Sequence, residues 1–340
     1  DGNLYGTTNF GGGNGSGSLY RVNSQEEVEV LLSFTGTTGA APGSSPSSRL
    51  AEGTGGALYG VTQSGGASSS GTLFRYTPGG SFVSLGSFTG TSGAFLGSAP
   101  RGGLVRGSDG HFYGTTSTGG TGGGFGTVFR ITEAGVFTSL ASFTGTSGDT
   151  PGSAPLGELV TGPDGHFYGT TSAGGSSGLG TIFRVTTGGT VTAIANFTGT
   201  SGIAPGSSPK GGLVLGPDGK LYGTTTTGGS GNLGTVFRVS TTGTCELLAS
   251  FNGTSGAVPG SSPNGTLVDG GDGYFYGTTS LGGRQNVGTV FRINAAGTVE
   301  VIHHFLPGPA PAKLLEGGDG LLRSLTLNGG ASQNTALVLK

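Results

Sequence analysis

The sequence predicts an all-β protein, a β-propeller of seven blades that are mostly four-stranded antiparallel meanders. Two observations carry this. A Tyr-Gly pair recurs at Tyr5, Tyr59, Tyr113, Tyr168, Tyr222 and Tyr276, with spacings of 54, 54, 55, 54 and 54 residues, a register strict enough to mean one structural unit per repeat. Within each unit, short β-rich runs alternate with glycine-bearing turns and show no helical period.

The third copy shows the elements in order. Gly102-Gly103-Leu104-Val105-Arg106 is strand A, and Ser108-Asp109-Gly110 is the A–B turn. His111 to Thr116 form strand B, a Gly/Ser/Thr loop follows, and Gly126 to Ile131 form strand C. A second tight turn at Glu133-Ala134-Gly135 leads into strand D, Val136 to Phe143. Asp-Gly and Ala-Gly are turn chemistry, because glycine takes positive φ freely and aspartate bonds its own backbone. Such a sheet is apolar on both faces and must be sandwiched between neighbours, which a ring of sheets achieves while protecting most edges. A β-solenoid is the alternative, but its coils are usually about 20–30 residues and do not carry two tight hairpins each.

The copies fall near 1–47, 48–100, 101–155, 156–209, 210–263, 264–311 and 312–340, read together as one domain over 1–340. The seventh is decayed, with Arg323 at the tyrosine position. The sequence opens at strand B of copy 1 and closes at strand C of copy 7, so the first and last blades are expected to be incomplete. Open edges of that kind would template self-association.

Composition narrows the classes. Seventy-nine glycines, 15 prolines and only 9% charged residues resemble a low-complexity chain, but 19 Phe and 9 Tyr fall in bursts that can build a core. A formal net charge of -2 gives no attraction to phosphate backbones, so nucleic acid is not an expected partner. No apolar run of 18 residues occurs, so no membrane insertion is expected. Cys245 is the single cysteine, which rules out an intramolecular disulfide.

A residue that recurs once per blade is structural by default. The strand-C arginines Arg21, Arg75, Arg130, Arg184, Arg238 and Arg292 are read as packing or inter-blade hydrogen-bonding groups. The turn aspartates Asp109, Asp164, Asp218, Asp272 and Asp319 are read as turn stabilisers, since no D-x-D-x-D-G calcium box is present. His303 and His304 break the repeat, but adjacent strand residues point to opposite faces and would not share an ion. No histidine is spaced to serve a nucleophile. No catalytic residue, metal site or cofactor is assigned.

The long Gly/Ser/Thr/Pro connections, such as Gly199 to Pro209, are the expected contact side. Phe95, Asp149, Arg284, Gln285 and Asn286 depart from their counterparts there and are the candidate ligand-binding residues. Glu26, Glu27 and Glu29 read as a solvated outer edge.

The phrase Asp218-Gly219-Lys220-Leu221-Tyr222-Gly223-Thr224-Thr225, followed by Gly234-Thr235-Val236-Phe237-Arg238, resembles the Gloeo/Verruco-type tandem repeat of secreted bacterial proteins. The resemblance covers essentially all of the chain. It implies an extracellular or cell-surface location and no established activity. The Asp-Gly-x-Leu-Tyr grammar is similar, more distantly, to NHL and virginiamycin B lyase propellers, from which only the fold is carried over.

The expected function is therefore a non-enzymatic extracellular or cell-surface propeller, an adhesive, scaffold or filament-forming module that contacts itself, a glycan or another protein. A glycan-binding lectin-like propeller, or a carbohydrate-active lyase or hydrolase with its site over the central channel, is the alternative.

Overall fold

The computed structural model describes residues 2–306 and the strands Pro311–Glu316, Leu322–Thr326 and Leu337–Leu339. Almost every described element is a β-strand, and the paired strands of copies 1, 2, 3, 5 and 6 and of the last described sheet are antiparallel. In the third copy the strands are Val105–Arg106, Phe112–Thr116, Thr127–Ile131 and Phe137–Ser142, within the segments the sequence marks, and they pair in chain order. Copy 2 repeats this with Ala51–Glu52, Leu58–Thr62, Thr72–Thr77 and Ser81–Ser87, and copy 5 with Val214–Leu215, Leu221–Thr225, Thr235–Val239 and Cys245–Ser250. Copy 1 holds three strands, Leu4–Thr8, Ser18–Val22 and Val28–Ser33, and the last described sheet also holds three. The sheet of copy 6 gains an additional short strand, Ser261–Pro263, from the end of copy 5, paired on the lengthened strand Tyr274–Leu281. The turn at Asp319 lies outside the described residues.

The chain divides into two compact units within the fourth copy. One comprises Asp1–Thr161, Gly165–Phe167 and Val185–Thr192; the other comprises Gly162–Asp164, Tyr168–Arg184 and Ala193–Lys340.

The repeat phrase has a packing reason at each position. In Tyr-Gly-Thr-Thr, the tyrosine of one copy stacks on the strand-B aromatic of the next, Tyr59 on Phe112 at 4.3 Å and Tyr113 against Phe167 at 4.2 Å in the first unit. Tyr222 on Phe275 at 4.3 Å does the same in the second. The glycine lies under the strand-C phenylalanine, since a Cβ on Gly114 would stand 2.6 Å from Phe129 Cζ. The second threonine pairs across to the first residue of strand C through buried hydroxyls, Thr116 to Thr127 at 2.8 Å and Thr225 to Thr235 at 2.7 Å. Each hydroxyl thereby finds a partner at a fully buried position.

Phenylalanines ending strand D close the same seam. Phe88 meets Phe129 edge-on at 5.3 Å in the first unit, and Phe251 meets Phe291 at 5.1 Å in the second. Leu4 is 67% exposed, whereas its counterparts Leu58, Phe112, Leu221 and Phe275 are buried, and Val28 and Val30 beside it are exposed as well.

The glycine-rich connections are ordered by backbone hydrogen bonds rather than left as flexible linkers. Gly36 and Gly43 bond each other in both directions, and the Gly36 carbonyl also accepts the Gly66 N–H of the following copy at 3.0 Å. Gly253 accepts from Gly283 at 2.9 Å in the same way in the second unit.

Candidate functional site

The recurring polar residues build an internal node at the tight-turn end of the sheets of copies 3 to 6. The Tyr113 hydroxyl donates to Asp109 Oδ2 at 2.7 Å, and Asp109 Oδ1 accepts the His111 N–H at 3.1 Å, which closes the A–B turn. Tyr168 to Asp164 (2.7 Å), Tyr222 to Asp218 (2.8 Å) and Tyr276 to Asp272 (2.7 Å) repeat the bond. Burial disfavours the Asp109 carboxylate, but the bonds from Tyr113 and the His111 backbone outweigh it and hold its pKa below the ordinary value. Burial, reinforced by the aspartate, pushes the Tyr113 and Tyr168 phenols up to about 12. A raised folded pKa means that these phenols stabilise the fold fully below the ordinary tyrosine value of about 10 and lose that contribution as pH rises through 12. Ultraviolet absorbance titration should therefore show two tyrosines ionising near pH 12. Ionisation of both with the free amino acid would contradict the node.

The arginines divide by what stands opposite. Arg238 donates from Nε (2.9 Å) and Nη2 (2.6 Å) to Glu246, and from Nη1 to the Ala295 carbonyl of the next copy at 2.8 Å, the inter-blade bond its periodicity suggested. Arg21 and Arg292 likewise pair with Glu29 and Glu300 across the strands. Opposite Arg75 and Arg130 stand Val83 and Thr138 instead, and the buried Nε of each has no hydrogen-bond partner. Thr138→Glu is expected to supply one and raise stability by roughly 0.5–1 kcal/mol, the upper range for a partly exposed pair. Calorimetry that found no rise in Tm would refute this.

Two charged clusters in the first unit break the repeat and escaped the sequence reading. Copy 2 alone has Gly55 where the described copies 3 to 6 have the turn aspartate. Glu133, from the C–D turn of copy 3, fills that place: its Oε1 accepts from the Thr54 N–H and Oγ1 at 2.9 Å each and from Arg106 at 2.8 Å. The Tyr59 hydroxyl, lacking an aspartate, donates to the Glu133 carbonyl at 3.1 Å. The Thr54 backbone bond, against the opposing cost of burial, leads in holding the Glu133 pKa low, with the Thr54 hydroxyl and Arg106 assisting. The second cluster is Arg49 with Glu158, joined by two hydrogen bonds of 3.3 Å beside Gly103. The usable signal was a charge at positions where other copies carry Gly212 or Thr266.

The five sequence-derived candidates are placed as follows. In the first unit, half-buried Phe95 stacks on Phe137 at 4.5 Å and covers Gly86, so its ring serves packing. Asp149 is exposed on its loop, and among the described residues no hydrogen bond, ion pair or ring contact joins it to Phe95. In the second unit, Arg284, Gln285 and Asn286 are exposed. Asn286 is a turn former with φ 58°, and its Oδ1 accepts the Gly282 N–H at 2.9 Å. Asn232, with φ 54°, makes the same bond to Gly228 at 2.9 Å.

A further polar position recurs at the loop end. The N–H of the residue after each Gly-Gly pair donates to a side chain near the end of strand D: Ala67 to Ser87 Oγ (3.2 Å), Thr121 to Ser142 Oγ (3.0 Å), Ser176 to Asn196 Oδ1 (2.9 Å). In copy 6 the acceptor is a histidine, with the Arg284 N–H at 3.3 Å from His304 Nδ1. His303, on the opposite face as strand alternation requires, packs against Phe305. Among the described residues no group of three His, Cys, Asp or Glu side chains is gathered for a metal ion, and no helix is long and apolar enough to cross a membrane.

Repeated four-stranded meanders, stacked through their aromatic faces and tied in copies 3 to 6 by a Tyr–Asp node each, define an all-β tandem-repeat protein of the β-propeller class. The chain belongs to the Gloeobacter/Verrucomicrobia repeat family, whose model matches residues 1–157 and 149–338. Among solved structures it is similar to a streptogramin B lyase, at 15% identity over 92% of this chain and 84% of that one, with a TM-score of 0.58. It is also similar to a catalytically inactive virginiamycin B lyase from Staphylococcus aureus with quinupristin, at 15% identity, 95% and 96% coverage and a TM-score of 0.58. A selenomethionine-substituted form of the same lyase gives 14% identity, 95% and 96% coverage and a TM-score of 0.59. At these identities the likeness concerns the fold alone. No curated protein matches the sequence.

Proposed function

We propose that residues 1–340 form one seven-bladed propeller that works outside the cell or on its surface as a non-enzymatic adhesive, scaffold or filament-forming module. The observation that carries this reading is how the polar residues are used. Tyrosine, aspartate and threonine of the repeat, with the strand-C arginines Arg21, Arg238 and Arg292, are spent on hydrogen bonds within and between copies. What is left for contact is a set of near-identical, backbone-ordered loops, a surface suited to repeated shallow contacts rather than one asymmetric reaction centre. The exposed Leu4, Val28 and Val30 of the first sheet favour self-association, because they present apolar side chains to solvent and the counterparts of Leu4 in copies 2, 3, 5 and 6 are buried.

Light scattering over a concentration series, with electron micrographs of the same sample, tests the reading. Rings that associate into larger assemblies, or binding to a glycan array without turnover, support it. A strictly monomeric protein that cleaves a polysaccharide would overturn it in favour of an enzyme.

A further inference from the structure

We propose that His304 is a pH-sensitive latch for the Arg284–Gln285–Asn286 loop, holding it near neutral pH and releasing its first turn in mild acid. This goes beyond the scaffold reading and stands without it, since it rests on the geometry of one hydrogen bond seen in register across the copies.

The bond has the same architecture wherever it occurs. The second glycine of each Gly-Gly pair adopts positive φ, +87° at Gly120 and +73° at Gly283, and the chain passes so close to the acceptor that a Cβ would stand 2.7 Å from Ser142 Oγ or 3.0 Å from His304 Nδ1. The following N–H is thereby aimed at that side chain. Copies 2, 3, 4 and 5 supply Ser87, Ser142, Asn196 and Ser250, whose oxygens accept at any physiological pH. Among the described residues, only copy 6 uses an imidazole. Nδ1 accepts the Arg284 N–H only while it carries no proton, which places the proton of the neutral ring on Nε2.

Protonation changes the contact from attractive to repulsive. His304⁺ has two N–H donors and no acceptor, so the Arg284 N–H loses its partner and faces another donor. The surrounding charged and titratable groups act in the same direction. Arg284 on the loop and His303 beside it on the strand are the groups that bear on His304, while the facing strand presents Thr289, which carries no charge. Burial first, then these two neighbours, lower the His304 pKa. A depressed pKa in the latched state means that the latch is fully present above the ordinary histidine value of about 6.5 and is lost as pH falls through the latched value.

The rest of the loop limits the release. The Gly283 N–H donates to the Gly253 carbonyl at 2.9 Å, the Asn286 N–H to the Gly283 carbonyl at 3.1 Å, and the Gly288 N–H to the Gly282 carbonyl at 3.0 Å, none of which depends on His304. The anchor glycines stay fixed while Arg284 and Gln285, already exposed, gain freedom.

Amide hydrogen exchange on the whole protein tests this, corrected at each pH for the intrinsic rate. Protection of the Arg284 amide is expected to fall between pH 7.5 and pH 5 by about tenfold for each pKa unit that separates the latched from the released ring. The Ala67 and Thr121 amides, bonded to serine, should stay constant. His304→Ser installs the acceptor used by copies 2, 3 and 5, and should keep the Arg284 amide protected across the range. An Arg284 profile parallel to those of Ala67 and Thr121, or an acid-dependent loss that persists in His304→Ser, would overturn the proposal. Nitrogen chemical shifts of His304 give a second reading: a neutral ring protonated on Nδ1 would also overturn it.

Discussion

Phe129→Ala is expected to cost about 3–5 kcal/mol, the range for removing a fully buried aromatic ring. Phe129 is wholly buried in strand C of copy 3. It meets Phe88 edge-on at 5.3 Å and stacks with Phe137 at 5.4 Å, and its ring caps the glycine of the Tyr-Gly pair. Truncation removes dispersion contacts on three sides, and the pleated backbone around Gly114 cannot collapse into the space because strands B and D hold it in register. Such a loss is a large part of the 5–15 kcal/mol typical of a folded domain. Because the sheet of copy 3 stacks on both neighbours through Tyr59–Phe112 and Tyr113–Phe167, the damage should spread from copy 3 into copies 2 and 4 rather than stay local. Chemical denaturation of the variant checks this. A loss below about 1 kcal/mol would mean that the aromatic seam is not what holds the copies together, and Val136→Ala, at a residue 62% exposed, provides the near-neutral comparison.

Much of this was legible because the repeat states its own constraints several times. Strands B, C and D of copy 3 were read nearly to the residue from glycine punctuation, and the opposite facing of His303 and His304 followed from strand alternation. The arginine periodicity pointed to an inter-blade bond, and Arg238 to Ala295 is one. What was hidden lies in contacts distant along the chain. Glu133 standing in for the aspartate missing at Gly55 requires knowing which turn faces which, and the Arg49–Glu158 pair joins copies 2 and 4, so no local pattern announces it. The additional strand Ser261–Pro263 arises because Tyr274–Leu281 runs on past the usual five residues, a tertiary choice that composition does not encode. Departures from consensus also proved ambiguous. Asn286 breaks a Gly/Ser loop as a binding residue would, yet it occupies a left-handed turn position where asparagine is a natural choice. Phe95 breaks its loop because Gly86 leaves a space for a ring to fill.

Gly126→Ala is expected to cost about 3 kcal/mol or more, although it adds a single methyl group. Two independent penalties meet at this residue, which opens strand C. Its φ is +102°, a conformation that residues with a Cβ rarely adopt. A Cβ there would also collide with the Thr116 carbonyl and stand 2.9 Å from Pro155 Cδ, of the segment that leads into copy 4. The first obstacle is main chain and the second a ring, so neither can rotate away as a flexible side chain would. The Gly126 carbonyl accepts the Phe143 N–H at 2.9 Å, so any backbone shift that relieved the clash would pull on the end of strand D. The same geometry recurs at Gly71 and Gly234, with φ of +99° and +102°, each against the carbonyl that ends strand B and a proline of the segment that leads into the following copy. The glycine that opens strand C is thus the point where three strands and the segment leading into the next copy converge. Gly135→Ala, at a turn glycine with φ +89° whose nearest obstacle is the flexible Leu85 side chain at 3.3 Å, carries the conformational penalty with little steric one. The difference between the two variants in denaturation measures the close approach alone. Equal losses would show that backbone strain, and not the meeting of copies, fixes glycine at the start of strand C.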